Sequence, residues 1–223
     1  VRKNPRQIIE LAPQPGALIT SSHRYIAVAG NIGSGKSSIV DFLCQKYGLQ
    51  PFFEPNEGNP YLEDFYGDMK GWSFHSQIYF LAAKFKLHQE VAGLEHGVVQ
   101  DRTIWEDAEI FAENLYRQKI MSERDYQTYR LLYEGIRDQI RPPDLMLYMR
   151  CPVTTVRKRI AQRGRQMERD IPLTYLKRLH GLYDSWIENY TLSPVVIIPT
   201  NKLDYVTDLV DQHDILTTIE KYL

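Results

Sequence analysis

Five short apolar runs, separated by stretches of helical periodicity, divide most of this chain into alternating elements. The runs fall at residues 25–29, 50–54, 97–101, 145–150 and 195–198, and each reads as a strand. Ile39, Val40 and Leu43 mark a helix over 36–47. Trp72, Ile78, Leu81, Phe85 and Val91 mark a longer one over 72–93. Further helices are predicted at 61–66, 106–119, 123–140, from 153 onward, at 172–190 and at 203–222. Strands alternating with helices predict an α/β domain with a doubly wound, five-stranded parallel sheet flanked by helices. That domain covers 25–223. Residues 1–24 carry four basic side chains, three prolines and no periodicity, and read as a flexible extension.

The junction between the first strand and the first helix is Gly30-Asn31-Ile32-Gly33-Ser34-Gly35-Lys36-Ser37, followed by Ser38. It fits the P-loop pattern of Gly, four free positions, then Gly-Lys-Ser. Gly33 and Gly35 let backbone N–H groups close around phosphate oxygens without a Cβ in the way. Lys36 brings a positive charge to the β- and γ-phosphates, and the Ser37 hydroxyl can ligand Mg²⁺. The helix that follows adds the partial positive charge of its N-terminus.

In a doubly wound sheet, ligands bind beyond the carboxyl ends of the strands. That rule gathers Gly30, Glu54 and Asp101-Arg102 into one crevice. Glu54 could take a proton from an attacking hydroxyl, or be a solvated strand-end acid. Asp101 sits where P-loop proteins hold Mg²⁺, and Arg102 could orient a base or neutralise developing charge. Gln77 and Lys84 are seven residues apart and so share a helix face, where a Gln amide can read a nucleobase edge, or both are polar interruptions of a mostly apolar helix. Asp107 opens the next helix, either as their partner or as an acid suited to the helix dipole. Arg157, Arg159, Arg163, Arg165 and Arg169 concentrate charge around Gly164. Such a run is either a solvated face or, as a P-loop protein can use it, a lid over the transferring phosphoryl group.

Composition narrows the field. A net charge of −1 argues against a broad nucleic-acid surface. The two cysteines, Cys44 and Cys151, have neither metal-ligand spacing nor a disulfide framework, which points to a reducing, cytoplasmic setting. No apolar run approaches a membrane span, and no signal-peptide pattern opens the sequence.

Several separate motifs share a family likeness: GNIGSGKS, Glu54-Pro55, WSFHSQIY (72–79), DRTIWEDAEIFAENLY (101–116) and RIAQRGRQMERDIPLTYLKRLH (159–180). With them the sequence resembles the deoxyribonucleoside kinase family over nearly all of 25–223, and most of all its bacterial deoxyadenosine and deoxyguanosine kinases. The resemblance implies transfer of the γ-phosphoryl of ATP, with Mg²⁺, to the 5′-hydroxyl of a deoxyribonucleoside in nucleotide salvage. It implies Glu54 as general base beside Arg102, Asp101 with Ser37 at the metal, and Gln77 paired to the nucleobase with Phe111 near it. It also implies Tyr66 and Glu168 on the sugar 3′-hydroxyl, and Arg159, Arg163 and Arg165 in the lid. Asp107 matches the acid of relatives acting on deoxyadenosine, deoxyguanosine or deoxycytidine, while Lys84 stands where many of them have Arg. Deoxyadenosine is expected first. The family is commonly dimeric, with Phe74, Ile78, Leu81, Tyr126, Tyr129 and Tyr133 as interface or core.

Two rival readings use the same loop. A nucleoside monophosphate kinase of thymidylate type shares the P-loop and an Arg-rich lid, and Glu54-Pro55 with Tyr66 and Glu168 speaks for an unphosphorylated acceptor instead. A non-catalytic subunit on this fold is the other, and Lys36, Ser37, Glu54, Asp101 and Arg102 are all present against it. Asn201-Lys202-Leu203-Asp204 spells a guanine-reading pattern. It follows the fifth predicted strand without the rest of a GTPase, and is expected as a loop near the donor base.

Overall fold

The computed structural model describes residues 7–11, 24–54, 58–165, 168 and 171–222. Pro55, the turn residue Asn56, Arg169 and most of the N-terminal extension (1–6 and 12–23) lie outside the described residues.

The strands are β1 (Ile9–Leu11), β2 (Tyr25–Ala29), β3 (Gln50–Phe52), β4 (Val98–Asp101), β5 (Leu145–Arg150) and β6 (Val195–Pro199). They form one sheet in the order β1-β6-β5-β2-β4-β3. The five expected strands pair in parallel. β1 is an addition and a correction: part of the extension expected to be flexible joins the sheet, pairing antiparallel with β6 through Ile9↔Ile197 and Leu11↔Val195. Glu10 then ties to Lys221 Nζ at 2.6 Å and to the Tyr222 hydroxyl at 2.8 Å.

The helices are α1 (Lys36–Tyr47), α2 (Leu62–Gly67), α3 (Met69–Ala92), α4 (104–117), α5 (Glu123–Arg137), α6 (Val153–Arg163), α7 (Leu173–Glu188) and α8 (Leu209–Ile219). Successive side chains of a strand point to opposite faces, so a central strand covered on both sides must be apolar throughout. β2 shows this, with all five residues buried. Ile26 and Val28 pack with Ile39, Val40, Leu43 and Ile215 of α1 and α8. Tyr25, Ala27 and Ala29 pack with Phe80, Leu81, Tyr129 and Tyr183 of α3, α5 and α7.

Several helices differ from expectation in bounds or pitch. α3 begins three residues early because Asp68 caps it, accepting from Gly71 N at 3.1 Å. α8 begins only at Leu209, where Asp208 accepts from Val210 N and Asp211 N, so 203–208 is loop rather than helix. α4 is one helical run that changes pitch: Ile104–Glu106 is α, Asp107–Ala112 is π, and Glu113–Arg117 is α again. Of the residues that could have been interface or core, Leu81, Tyr126, Tyr129 and Tyr133 are buried in the core. The exposed apolar residues of α5 are Leu131 and Leu132. Among the described residues, no helix is long and apolar enough to cross a membrane.

Candidate active site

The strand register brings the chemistry together. Val28, two residues before the loop, stands beside Asp101 at the end of β4, and Phe52 beside Gln100. The P-loop therefore leaves the sheet next to Asp101, with Glu54 following β3 two strands away. Gly30 has φ 151°, and a Cβ there would lie 2.6 Å from Ser34 Oγ and 2.9 Å from the Met149 carbonyl. Only glycine permits that closeness.

Within the loop, Lys36 Nζ donates to the carbonyls of Gly30 (3.1 Å) and Asn31 (3.2 Å) and lies 3.9 Å from Asp101 Oδ1. Burial, helped by the neighbouring Arg102 charge, lowers the pKa of this ammonium. Asn31 is a strut: its amide donates to the Leu176 carbonyl and its oxygen accepts from Ile32 N. Ser37 Oγ donates to Asp101 Oδ2 at 3.0 Å, while the buried Asp101 Oδ1 has no hydrogen-bond partner among the described residues. A hydroxyl and a carboxylate oxygen of this kind are hard oxygen donors that suit Mg²⁺.

Two cavities open around this loop. The first, about 400 Å³, is bounded by Glu54, Tyr66, Gln77, Asp107, Phe111 and Glu168. The second, about 930 Å³, is bounded by Ser38, Arg159 and the 200–208 loop with its Asn201-Lys202-Leu203-Asp204 stretch. Both share Gly33, Lys36, Ser37, Arg163 and Arg165. The chambers thus meet at Lys36 and at Arg163 and Arg165, two of the arginines expected in a lid.

In the first chamber, Arg102 Nε lies 2.6 Å from Glu54 Oε1, and its guanidinium covers the Phe111 ring at 4.4 Å. Phe111 is thereby in contact with Arg102 as well as the cavity. Arg102 has φ 65°, a left-handed conformation uncommon for a side chain of this size and frequent at functional sites. Burial opposes its charge, but Glu54, Tyr183, Glu106 and Asp101 outweigh that and hold its pKa above the ordinary value.

Lys84 is not part of the cavity wall. It is fully buried behind it, with Nζ 2.6 Å from Asp107 Oδ1 and 3.7 Å from Glu54 Oε1. Burial raises the Asp107 carboxyl to about 6, against the pull of Lys84. Asp107 Oδ2 and Gln77 Oε1 are buried without a hydrogen-bond partner among the described residues. The same holds for Glu168 Oε2, whereas Glu168 Oε1 accepts from Arg163 (3.0 Å) and Arg165 (3.3 Å). Burial raises the Glu168 pKa, with Arg165 opposing. Arg159 is committed elsewhere: it donates to the Ser34 carbonyl at 2.9 Å and to the Thr200 carbonyl at 2.8 Å, clamping the P-loop to the 200–208 loop.

Glu106 and Tyr183 lie behind the site, in contact with Gly30 and Arg102, and have no place among the sequence candidates. Glu106 completes a capping box with Thr103, a signal legible as Thr-x-x-Glu. Its other oxygen accepts from the Tyr183 hydroxyl at 2.8 Å and from Gly30 N at 3.2 Å, for which no local sequence signal exists.

A family model described as deoxynucleoside kinase matches residues 26–223. The chain is 38% identical over 185 residues to a deoxyadenosine/deoxycytidine kinase of Bacillus subtilis, covering 82% of this chain and 85% of the relative. It is 34% identical over 208 residues to a deoxyadenosine kinase of Lactobacillus acidophilus, covering 89% and 95%. Among solved structures, deoxyadenosine kinase from M. mycoides with the products dCMP and a flexible dCDP superposes with a TM-score of 0.79 at 31% identity. That match covers 88% of this chain and 99% of the other. The same M. mycoides enzyme with bound dATP gives 0.78.

Proposed function

The chain belongs to the deoxynucleoside kinase family, and on that premise we propose that it phosphorylates the 5′-hydroxyl of deoxyadenosine, with ATP as donor. Deoxycytidine and deoxyguanosine are the secondary acceptors. The observation that carries this reading is the set of buried, unpartnered acceptor oxygens on Gln77, Asp107 and Glu168 around one 400 Å³ cavity. A buried polar atom without a partner is costly, so three of them around one cavity mark where ligand donors belong.

Asp107, as a carboxylate, accepts only, and Gln77 can both donate and accept. Adenine offers the matching edge, an exocyclic amine beside a ring nitrogen. Cytosine offers a similar pair. Glu168 Oε2 receives the sugar 3′-hydroxyl, with Tyr66 beside it. The 5′-hydroxyl then faces Glu54. The donor triphosphate occupies the second chamber, with its γ-phosphoryl where the two chambers meet.

Reaction requires the acceptor oxygen to bond phosphorus as the bond to the departing ADP oxygen breaks, with the hydroxyl proton passing to Glu54. Lys36, Arg163 and Arg165 neutralise the phosphoryl oxygens. Arg102 holds Glu54 in place. Asp101 and Ser37 would hold Mg²⁺, which supplies charge neutralisation on the triphosphate. A monophosphate acceptor would set its charged group against Glu54 and Glu168, so the acidic wall favours an uncharged nucleoside over the thymidylate-type alternative.

The protein works as a homodimer through the outer faces of α3 and α5, where Leu131 and Leu132 are 73% and 46% exposed. Both cysteines are free thiols, in keeping with a cytoplasmic enzyme.

Steady-state rates with the four deoxynucleosides, ATP and Mg²⁺ test the reading. Deoxyadenosine should have the highest kcat/KM, and a clear preference for thymidine would sink it. Glu54→Gln should lower kcat by about a hundredfold or more while ATP binding persists.

A further inference from the structure

The pair Glu54–Arg102 is one end of a longer buried chain of hydrogen bonds. Arg102 Nη1 donates to the Tyr183 hydroxyl at 2.7 Å. That hydroxyl donates to Glu106 Oε1 at 2.8 Å, and the same oxygen accepts from Gly30 N at 3.2 Å. The second oxygen, Oε2, accepts from Thr103 N at 2.7 Å and Thr103 Oγ1 at 3.2 Å. Four donors thus converge on one carboxylate, as many as an ionised carboxylate accepts. Glu106 and Tyr183 have no exposed surface, and Arg102 is 3% exposed.

The elements joined are widely spaced in sequence. Gly30 opens the phosphate loop, Arg102 to Glu106 spans the end of β4 and the start of α4, and Tyr183 comes from α7. A buried carboxylate is expensive unless its partners are complete. A core that needed only filling would be served by apolar side chains, whereas this one runs polar contacts from the donor loop to the acceptor-side arginine.

Arg102 also needs fixing. Its stem has many rotamers, and its contact with Glu54 runs through Nε. Tyr183 fixes a second edge and Phe111 supports the face. We propose that Tyr183 and Glu106 are positioning residues that lock the Arg102 guanidinium against Glu54 and tie its position to the P-loop at Gly30. The proposal rests on the reading of Glu54 and Arg102 as the pair facing the 5′-hydroxyl. Nucleoside binding does not pass through Tyr183 or Glu106, so their loss should act on turnover and spare affinity.

The test compares wild type, Tyr183→Phe, Glu106→Gln, the double variant and Glu54→Gln, measuring kcat, the KM for deoxyadenosine and for ATP, and thermal unfolding. Tyr183→Phe should lower kcat roughly tenfold, as expected for a misplaced catalytic group, and change the deoxyadenosine KM by less than about twofold. Glu106→Gln turns an amide toward two donors and should lose at least as much. Links in series do not add, so the double variant should be no slower than the slower single.

Wild-type kcat in Tyr183→Phe overturns the proposal, even if the melting temperature falls. Independent, multiplying effects of the two substitutions overturn it too. If Glu106→Gln does not fold, the kcat-against-KM split of Tyr183→Phe decides alone. Glu54→Gln separates the two readings. Near-wild-type turnover there removes Glu54 as the base, while a slow Tyr183→Phe with unchanged KM still supports positioning of Arg102.

Discussion

Lys84 and Asp107 form a buried ion pair, Nζ to Oδ1 at 2.6 Å, and the same ammonium lies 3.7 Å from Glu54. One cation therefore serves both the acid proposed to read the base and the acid proposed to take the proton. Three freely placed protons on a compact ammonium can divide themselves between two carboxylates at different angles, which a planar guanidinium does less readily.

Removing that cation should be costly. Lys84→Met leaves Asp107 and Glu54 without it in a buried site, and breaking a buried pair costs about 3–5 kcal/mol. Urea unfolding should show a loss of that order, and adding Asp107→Asn should restore part of it. An unchanged unfolding midpoint in Lys84→Met would show that the pair contributes nothing.

Base preference should depend on pH. With its carboxyl raised to about 6 by burial, Asp107 holds a proton in the folded state that it would have lost in the unfolded chain. Its contribution to stability is therefore fully present below about pH 4 and is lost as pH rises through about 6. The protonated acid donates instead of accepting, which suits a carbonyl and not an amine. Between pH 7.5 and 5.5 the ratio of kcat/KM for deoxyadenosine to that for thymidine should fall by at least about fourfold, the factor by which the ionised fraction alone drops. The same ratio in Asp107→Asn should be flat.

Asp101→Asn should weaken metal use specifically. The Mg²⁺ concentration giving half-maximal rate should rise by about tenfold or more, with the deoxyadenosine KM unchanged. Equal losses at all Mg²⁺ concentrations would point to a general disturbance of the loop.

The dimer proposal is open to a direct check. Leu131→Glu combined with Leu132→Glu changes two exposed side chains and no buried ones. Sedimentation should show a shift from dimer to monomer, and an unaltered sedimentation coefficient would rule out this face.

Much of the fold was legible because its strands are buried on both faces, so β2 reads as five apolar residues in a row. β1 escaped detection because three residues with mixed exposure carry no periodicity. The pitch change at Asp107–Ala112 was invisible as well, since it shifts side chains by a fraction of a turn while the apolar spacing stays helical. Asp208 is a cap residue readable in principle, yet the apolar Leu203 and Tyr205 extended the predicted helix through the loop. Glu54, Asp101 and Arg102 were found because strand ends in such sheets converge on one crevice. Tyr183 was not, because only tertiary packing brings α7 to Arg102. Lys84 was placed on the face of Gln77 but not behind the cavity, since helix spacing gives a residue's face and not its depth.

The β1 strand bears on how this protein behaves at high concentration. A sheet edge left open presents a row of unsatisfied donors and acceptors to any other chain, which invites aggregation. β1 occupies the open side of β6 and presents in its place an edge only three residues long, with Glu10 carrying charge at its centre. Shortened forms beginning at residue 24 would keep every described residue that lines the two chambers. They would surrender the cover over β6, and with it the protection of that edge against self-association.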